Sequence, residues 1–233
     1  MKALVVGGSG TIGRAIVHDL LSRGYEVILT YHTASHEELT KLYDGHPVQL
    51  LQLDVSQPIA FERLAFIQNL DALIYVSGKS LFGMLQDMTD TQIDETYRIN
   101  VFNFIKLSQH FVGQLMARPH GRIIVISSIW GETGASFETV YSAMKAAQIG
   151  FVKALSQELA LTNVTVNAVA PGAVAGAMSN QLSDEDLSAL LAELPQNRLV
   201  EPEEVAHVVG HLLSPLSQSI TGTVQRINGG WYL

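Results

Sequence analysis

Cysteine is absent from this 233-residue chain, which excludes a disulfide framework and any thiolate metal site. Basic residues are few: 14 Lys and Arg stand against 22 Asp and Glu, for a net charge of −8, and they form no run. The chain therefore lacks the electrostatic footprint of a nucleic-acid binder. No segment has the ~18–20 uninterrupted apolar residues of a membrane span. The N-terminus lacks the charged stretch, apolar run and cleavage site of a signal peptide, and opens directly on strand-like Lys2–Val6. These absences predict a soluble, cytoplasmic protein with neither nucleic acid nor membrane among its partners.

What the chain does have is alternation. Short β-branched apolar runs occur at Lys2–Val6, Glu26–Tyr31, Val48–Leu53, Ala72–Val76, Arg122–Ser127, Val164–Val169 and Thr223–Ile227. Each is nearly continuous, as expected of parallel strands covered on both faces. Helical patterns lie between them at Thr11–Arg23, Ser35–Tyr43, Ala60–Gln68, Asp90–Met116, Thr139–Leu161 and Pro202–Leu213. The order predicts an α/β fold: a doubly wound, seven-stranded parallel sheet of Rossmann type, in a single domain over 1–233. The connection from Ala170 to Glu201 is the longest, a length more typical of a functional lid than of inert loop.

The first strand runs into Gly7-Gly8-Ser9-Gly10-Thr11-Ile12-Gly13 and then a helix. Glycines at Gly7, Gly10 and Gly13 permit a tight turn, close backbone approach to a pyrophosphate, and close packing of helix on strand. The helix N-terminus adds N–H groups and a positive dipole end. Such a turn at the first strand–helix junction signals a dinucleotide. No acid occurs in Thr30–Ser35, where NAD-preferring enzymes place one for the ribose hydroxyls, so NADPH/NADP+ is favoured over NADH. His32 either meets the 2′-phosphate or is a solvated surface residue. Asp54, followed by Val55 after the third strand, either accepts from the adenine amino group or is an ordinary turn aspartate.

Tyr141 and Lys145 stand four apart at the start of a strong helical stretch, which stacks them on one face. A phenol with an ordinary pKa of ~10 is a poor acid or base near neutrality, and a neighbouring ammonium brings it toward the useful range. Ser128 ends the preceding strand, where open α/β sheets put their ligands, and its hydroxyl can polarise a carbonyl.

Together these pieces resemble the short-chain dehydrogenase/reductase family over the whole chain. The matching residues are Gly7–Gly13, Asp54, Asn100-Val101, Ser128, Tyr141 and Lys145, Asn167 with Pro171-Gly172, and Asn228-Gly229-Gly230. The resemblance implies that Tyr141 protonates a substrate carbonyl. Lys145 would tune that phenol and hold the nicotinamide ribose, and Ser128 would position the carbonyl. Asn100, inside the Asp90–Met116 helix, would anchor a water that relays protons to Lys145. Hydride would come from the nicotinamide. Three departures stand out. Tyr75-Val76-Ser77-Gly78 replaces the usual Asn-Asn-Ala-Gly, leaving Ser77 and Gly78 to pass the cofactor. Thr11 occupies a position that is often glycine. No threonine follows Pro171-Gly172, so the carboxamide contact falls to the backbone around Pro171, Gly172 and Val174, or elsewhere.

Within the family two substrate types compete. Leu85–Asp90, Ser127–Gly131 with Thr133–Ser136, and Ile227–Tyr232 look like 5-aminopentanone reductases, which act on a modified lysine of elongation factor P. The alternative is a 3-oxoacyl-acyl-carrier-protein reductase. A non-catalytic NADP(H) sensor is the reading from another class. The expected mouth, Trp130–Val140 and the lid 173–196, carries Glu132, Glu138, Asp184, Glu185, Asp186 and Glu193 but no Lys or Arg before position 197. That rim suits a cationic substrate better than an acidic carrier protein, unless these acids only solvate a lid helix. His207 and His211 have zinc-like spacing but no evident third ligand, so no metal is expected. Long apolar faces on Asp90–Met116 and Thr139–Leu161, with Trp231-Tyr232-Leu233 as a further contact, predict a homotetramer or homodimer.

Overall fold

The computed structural model describes residues 1–176 and 179–232. Ala177 and Met178 of the expected lid, and Leu233 of the expected C-terminal contact, lie outside the described residues. Seven strands form one sheet: β1 (Lys2–Val6), β2 (Glu26–Tyr31), β3 (Val48–Gln52), β4 (Ala72–Tyr75), β5 (Arg122–Ile126), β6 (Thr165–Pro171) and β7 (Val224–Ile227). Their order is β3-β2-β1-β4-β5-β6-β7, and every pair is parallel. The chain goes outward from β1 to β3, returns to β4, and continues outward on the other side.

The continuous apolar runs are explained by what covers them. All residues of β4, β5 and β6 are buried, whereas β3 and β7 at the edges are only partly so. One face packs against helices α1 (Thr11–Ser22) and α8 (Pro202–Leu213), through Ile16, Val17, Leu20, Val205, Val209 and Leu212. Short helix α2 (His36–Leu42) adds Leu39. The other face packs against α4 (Asn103–Met116) and α6 (Thr139–Glu158), through Phe104, Leu107, Phe111, Ile149 and Val152. Three further helices complete the set: α3 (Asp90–Tyr97), α5 (Trp130–Thr133) and α7 (Asp184–Glu193). No helix among the described residues is long and apolar enough to cross a membrane.

Three elements differ from the sequence expectation. The helix expected over Ala60–Gln68 is only a 3₁₀ turn at Phe61–Leu64. Leu64, Ile67 and Leu70 are all buried, but only Leu64 belongs to that turn, and the chain beyond it reaches the core without helical structure. The connection after β6 is not all loop, because Ser183 caps a ten-residue helix, α7, whose first turn carries Asp184, Glu185 and Asp186.

The third difference bears on the site. The single helix expected over Asp90–Met116 is broken by a π-turn at Arg98–Phe102, with Asn100 at its centre. Such turns leave main-chain groups outside the regular ladder. Two buried side chains engage them: Tyr75 Oη donates to the Ile99 carbonyl at 2.5 Å, and Gln148 Nε2 donates to the Asn100 carbonyl at 2.6 Å. Tyr75 thus ties β4 to the π-turn. Replacing Tyr75 with Phe is expected to lower stability by about 1–3 kcal/mol, since it leaves a buried acceptor unpaired. Urea denaturation reads this as a lower midpoint at unchanged slope.

Candidate active site

β1 and β4 run side by side until Val6 and Tyr75, and beyond them the chain leaves in opposite directions. The crevice that opens there is the place where sheets of this topology bind ligands. Gly7 turns the chain at φ +84°, and a Cβ on it would come within 2.5 Å of Ser77 Oγ. Its N–H donates to Thr30 Oγ1 at 2.9 Å, which ties the turn to β2. A Cβ on Gly13 would run into the Gly7 carbonyl. Helix α1 starts from Gly10 with no acid in its first turn, so its positive end faces the crevice uncancelled.

Two cavities make up the crevice. One, about 440 Å³, is lined by Gly7, Ser9–Gly13, His32, Asp54, Val55, Ser77 and Gly78. The other, about 370 Å³, contains Ser128, Tyr141, Lys145, Pro171 and Gly172. They share Ile12, Val76, Gly78 and Val174, and so form one continuous channel. A larger concavity of about 830 Å³ between α1, α2 and α8 contains none of Ser128, Tyr141 and Lys145.

In the first of these cavities, His32 Nε2 lies 3.6 Å from Asp54 Oδ2. Burial pushes the Asp54 carboxyl up, but bonds from Ser56 together with His32 outweigh it and hold the group below its usual range. Asp54 is therefore a carboxylate braced as an acceptor. Val174 is pinned by a bridge to Val200, and Ala175 N–H donates to the Val200 carbonyl at 2.9 Å, so the lid leaves the sheet along a defined path.

The polar centre is built on β5 and α6. Lys145 Nζ donates to the Ile126 carbonyl at 2.8 Å, and Ser127 Oγ donates to the Lys145 carbonyl at 3.0 Å. Gly131 lets α5 touch α6, since a Cβ there would lie 2.8 Å from the Lys145 carbonyl carbon. Ser128 then faces Tyr141 across the second cavity, close enough to act on the phenol, and its Oγ accepts from the Trp130 N–H at 3.2 Å. Lys145 Nζ sits 5.5 Å from the centroid of the Tyr141 ring. Asn100 Nδ2 donates to the carbonyls of Lys79, at 3.0 Å, and Thr96, at 2.9 Å. Asn100 Oδ1 is buried with no protein partner, and it shares with Lys145 Nζ the space over Gly78, each 3.2 Å from where a Cβ would stand.

The electrostatics differ from the expectation that Lys145 brings the Tyr141 phenol down. Burial and the Glu138 charge push Tyr141 up, and Ser128 offsets only part of this. Burial lowers Lys145 from its ordinary 10.5 to about 7, so near neutrality it is a weak source of positive charge. In the protein alone, desolvation outweighs the amine.

The residues present fit a nicotinamide dinucleotide. The glycine turn leaves room where side chains would intrude, the α1 terminus suits phosphates, and Gly78 opens the channel between Asn100 and Lys145. Several lining residues were not legible as functional in the sequence. Ser80, Leu182, Leu190 and Trp231 line the second cavity although they are far apart in the chain. Trp231 and Tyr232, expected at a subunit contact, pack edge-to-face on Trp130 of the same chain at 5.2 and 5.4 Å between ring centroids. Among the rim acids, Glu132 is paired with Arg226 at 2.9 Å, so the mouth is not free of cations as the local sequence implied. Asn167 is buried in ties to Ile220 and Thr223 between β6 and β7, away from the channel.

The Lys145 shift has a consequence for stability. A lysine whose folded pKa lies below its unfolded value destabilises the fold at low pH, and this cost is relieved as pH rises from about 7 toward 10.5. Parent stability relative to Lys145→Met should therefore climb between about pH 6 and about pH 9. Urea denaturation at both values checks this, and parallel profiles would contradict it.

The comparisons agree with this geometry. A family model described as Enoyl-(Acyl carrier protein) reductase matches residues 7–232. "Uncharacterized oxidoreductase YmfI" of Bacillus subtilis (strain 168) is 37% identical over 238 residues, covering 99% of this chain and 98% of that protein. The 3-oxoacyl-[acyl-carrier-protein] reductase FabG of Escherichia coli (strain K12) is 35% identical, covering 99% and 97%. A mutant Serratia marcescens short-chain dehydrogenase/reductase of known structure superposes with a TM-score of 0.89 at 29% identity, covering 99% and 97%. With its parallel sheet, its glycine turn and its Ser–Tyr–Lys centre, this oxidoreductase belongs to the short-chain dehydrogenase/reductase family.

Proposed function

We propose that the protein reduces a ketone to a secondary alcohol with NADPH, and that Tyr141 donates the proton. The observation that carries this reading is that Ser128 and Tyr141 line one cavity wall close enough for the serine hydroxyl to act on the phenol, with the buried Lys145 amine behind the ring. A dihydronicotinamide, when bound, supplies the hydride. Both hydroxyls bind the carbonyl oxygen, and Ser128 fixes its position. As that oxygen gains charge it takes the Tyr141 proton, for which a phenol that stays protonated is the required state. Lys145 returns a proton to the phenolate and holds the ribose. Asn100 Oδ1 anchors a water that resupplies Lys145. Gly7, Ser9, Gly10, Thr11, Ile12 and Gly13 hold the phosphates. His32, Asp54 and Val55 hold the adenosine end, with His32 at the 2′-phosphate. Ser77, Gly78, Pro171, Gly172 and Val174 border the nicotinamide half.

The finer substrate reading is a ketone beside an amine on a protein side chain, of the kind carried by modified elongation factor P. Exposed aromatic surface at the entrance supports a protein-borne group. Phe82 is 74% exposed and stacks on Phe137 with ring centroids 5.6 Å apart. The second reading, a 3-oxoacyl thioester, is favoured by the FabG relative. We also propose a homotetramer or homodimer. The apolar faces of α4 and α6 are largely covered within the chain, but the outward side of α6 is lined by the exposed small residues Ala143, Ala146, Ala147, Gly150 and Ala154, which let a second helix approach closely.

NADPH oxidation over a ketone panel tests the reaction. Tyr141→Phe should lower kcat by ~10²–10⁴ with NADPH binding retained. A parent that oxidises no NADPH with any ketone of the panel, and is matched by Tyr141→Phe, would instead be a sensor. Faster turnover of an acetoacetyl thioester than of a protein-borne amino-ketone, at any salt, would overturn the finer substrate reading. Sedimentation at micromolar concentration should give a mass above one subunit, and a single-subunit mass would refute the oligomer.

A further inference from the structure

The substrate cavity contains one carboxylate. Of the residues that line it, only Glu138, Tyr141 and Lys145 carry ionisable side chains. Glu138 stands at the N-cap of α6, three residues before Tyr141, a spacing that puts neighbours on one helix face. An acid at an N-cap ordinarily bonds the helix's free N–H groups. This one makes no capping bond. Its Oε2 instead accepts from Ser80 Oγ at 3.1 Å, and the Trp130 side chain stands near enough to act on it as well.

The backbone presents Glu138 this way at a cost. Phe137, just before it, holds φ +63°, a left-handed conformation that a bulky side chain rarely adopts. Gly83 N–H donates to the Phe137 carbonyl at 2.8 Å and fixes the turn. Phe137 therefore points outward onto Phe82, while Glu138 lines the cavity.

Among the described residues, no basic side chain pairs with this carboxylate. Both of its partners are neutral, and none of the ion pairs among the described residues includes it. Neighbouring basic side chains are engaged elsewhere: Lys79 pairs with Glu95 at 2.7 Å, and Arg226 with Glu132 at 2.9 Å. Burial pushes the Glu138 carboxyl up against the pull of Ser80 and Trp130, as expected of a negative group without a counter-charge. Apart from its serines, the remaining wall is largely apolar and includes Ile129, Leu182, Leu190 and Trp231.

We propose that Glu138 is the specificity-determining residue of the substrate cavity, and that it receives a protonated amine on the same molecule whose ketone oxygen lies at Ser128 and Tyr141. The inference rests on the ketone-reductase reading above and adds to it the group that recognises the substrate's charge. A cation supplies the counter-charge the cavity lacks and turns a carboxylate bonded only by neutral donors into a charge-assisted pair. A neutral acyl chain gains nothing from that carboxylate.

The test uses a matched pair of small ketones, one bearing an amine and the other a methyl group in its place, with NADPH as reductant. The parent should favour the amine, and Glu138→Gln should reduce the ratio of the two kcat/KM values by about tenfold or more, through KM rather than kcat. Glu138→Asp should recover part of the ratio. Melting temperature and NADPH fluorescence titration verify that each variant folds and binds cofactor. A ratio unchanged in a folded Glu138→Gln overturns the proposal. So does a parent that prefers the methyl ketone, a result that needs no variant and leaves the reductase reading standing. A parent that turns over neither ketone, nor any other on the panel, overturns the reductase reading and this inference with it.

Discussion

A lysine amine buried against the last carbonyl of a central strand sets the geometry of the whole crevice. The Ile126 carbonyl ends β5 and receives Lys145 Nζ, and the next residue, Ser127, reaches back to the Lys145 carbonyl. Helix α6 is thereby fastened to the sheet at a single residue from both ends. Gly131 permits the backbone contact that this requires. Tyr141, one turn before Lys145, then has no freedom to face anything but Ser128. The separation of four residues aligns the two side chains, and the two bonds to β5 aim them.

Burial acts on the ionisable groups of this crevice in one direction. It raises Tyr141 and Glu138 and lowers Lys145, so each is driven toward its neutral form. The phenol keeps its proton, which is what a general acid needs before reaction. In such surroundings a single charge entering with a ligand interacts far more strongly than it would in water. The crevice is therefore poised to respond to what binds, and Lys145 gains most from an anionic or polar neighbour. Asp54 follows a different rule. Its side chain is a third exposed and well bonded, and it stays ionised.

The departures from the family's sequence pattern are compensated in space. Where the family places asparagine after β4, Tyr75 reaches across to the π-turn and holds the Ile99 carbonyl, while Gln148 from α6 holds the carbonyl of Asn100. The brace has moved from within the sheet to the join between the sheet and α4. It still delivers Asn100 Oδ1 to the space beside Lys145. Thr30 plays a similar part for the glycine turn by accepting from the Gly7 N–H. The Tyr75 hydroxyl, the Gln148 amide nitrogen and the Thr30 hydroxyl oxygen each meet a main-chain group, whereas Gln148 Oε1 is buried without a protein partner.

Local periodicity alone determined the strands, the long helices, the glycine turn and the pairing of Tyr141 with Lys145, because each depends on residues within one or two turns of each other. The parallel order followed from the alternation of strand and helix. Tertiary structure decided the rest. The break at Asn100 exists because Tyr75 and Gln148, distant in sequence, engage carbonyls that a straight helix would keep for itself. Glu132 and Glu138 read alike as rim acids until Arg226, far along the chain, engages one and leaves the other facing the cavity. Sequence carries the propensity of each segment, whereas the partner of a buried polar or charged group is chosen by which segments the sheet brings together.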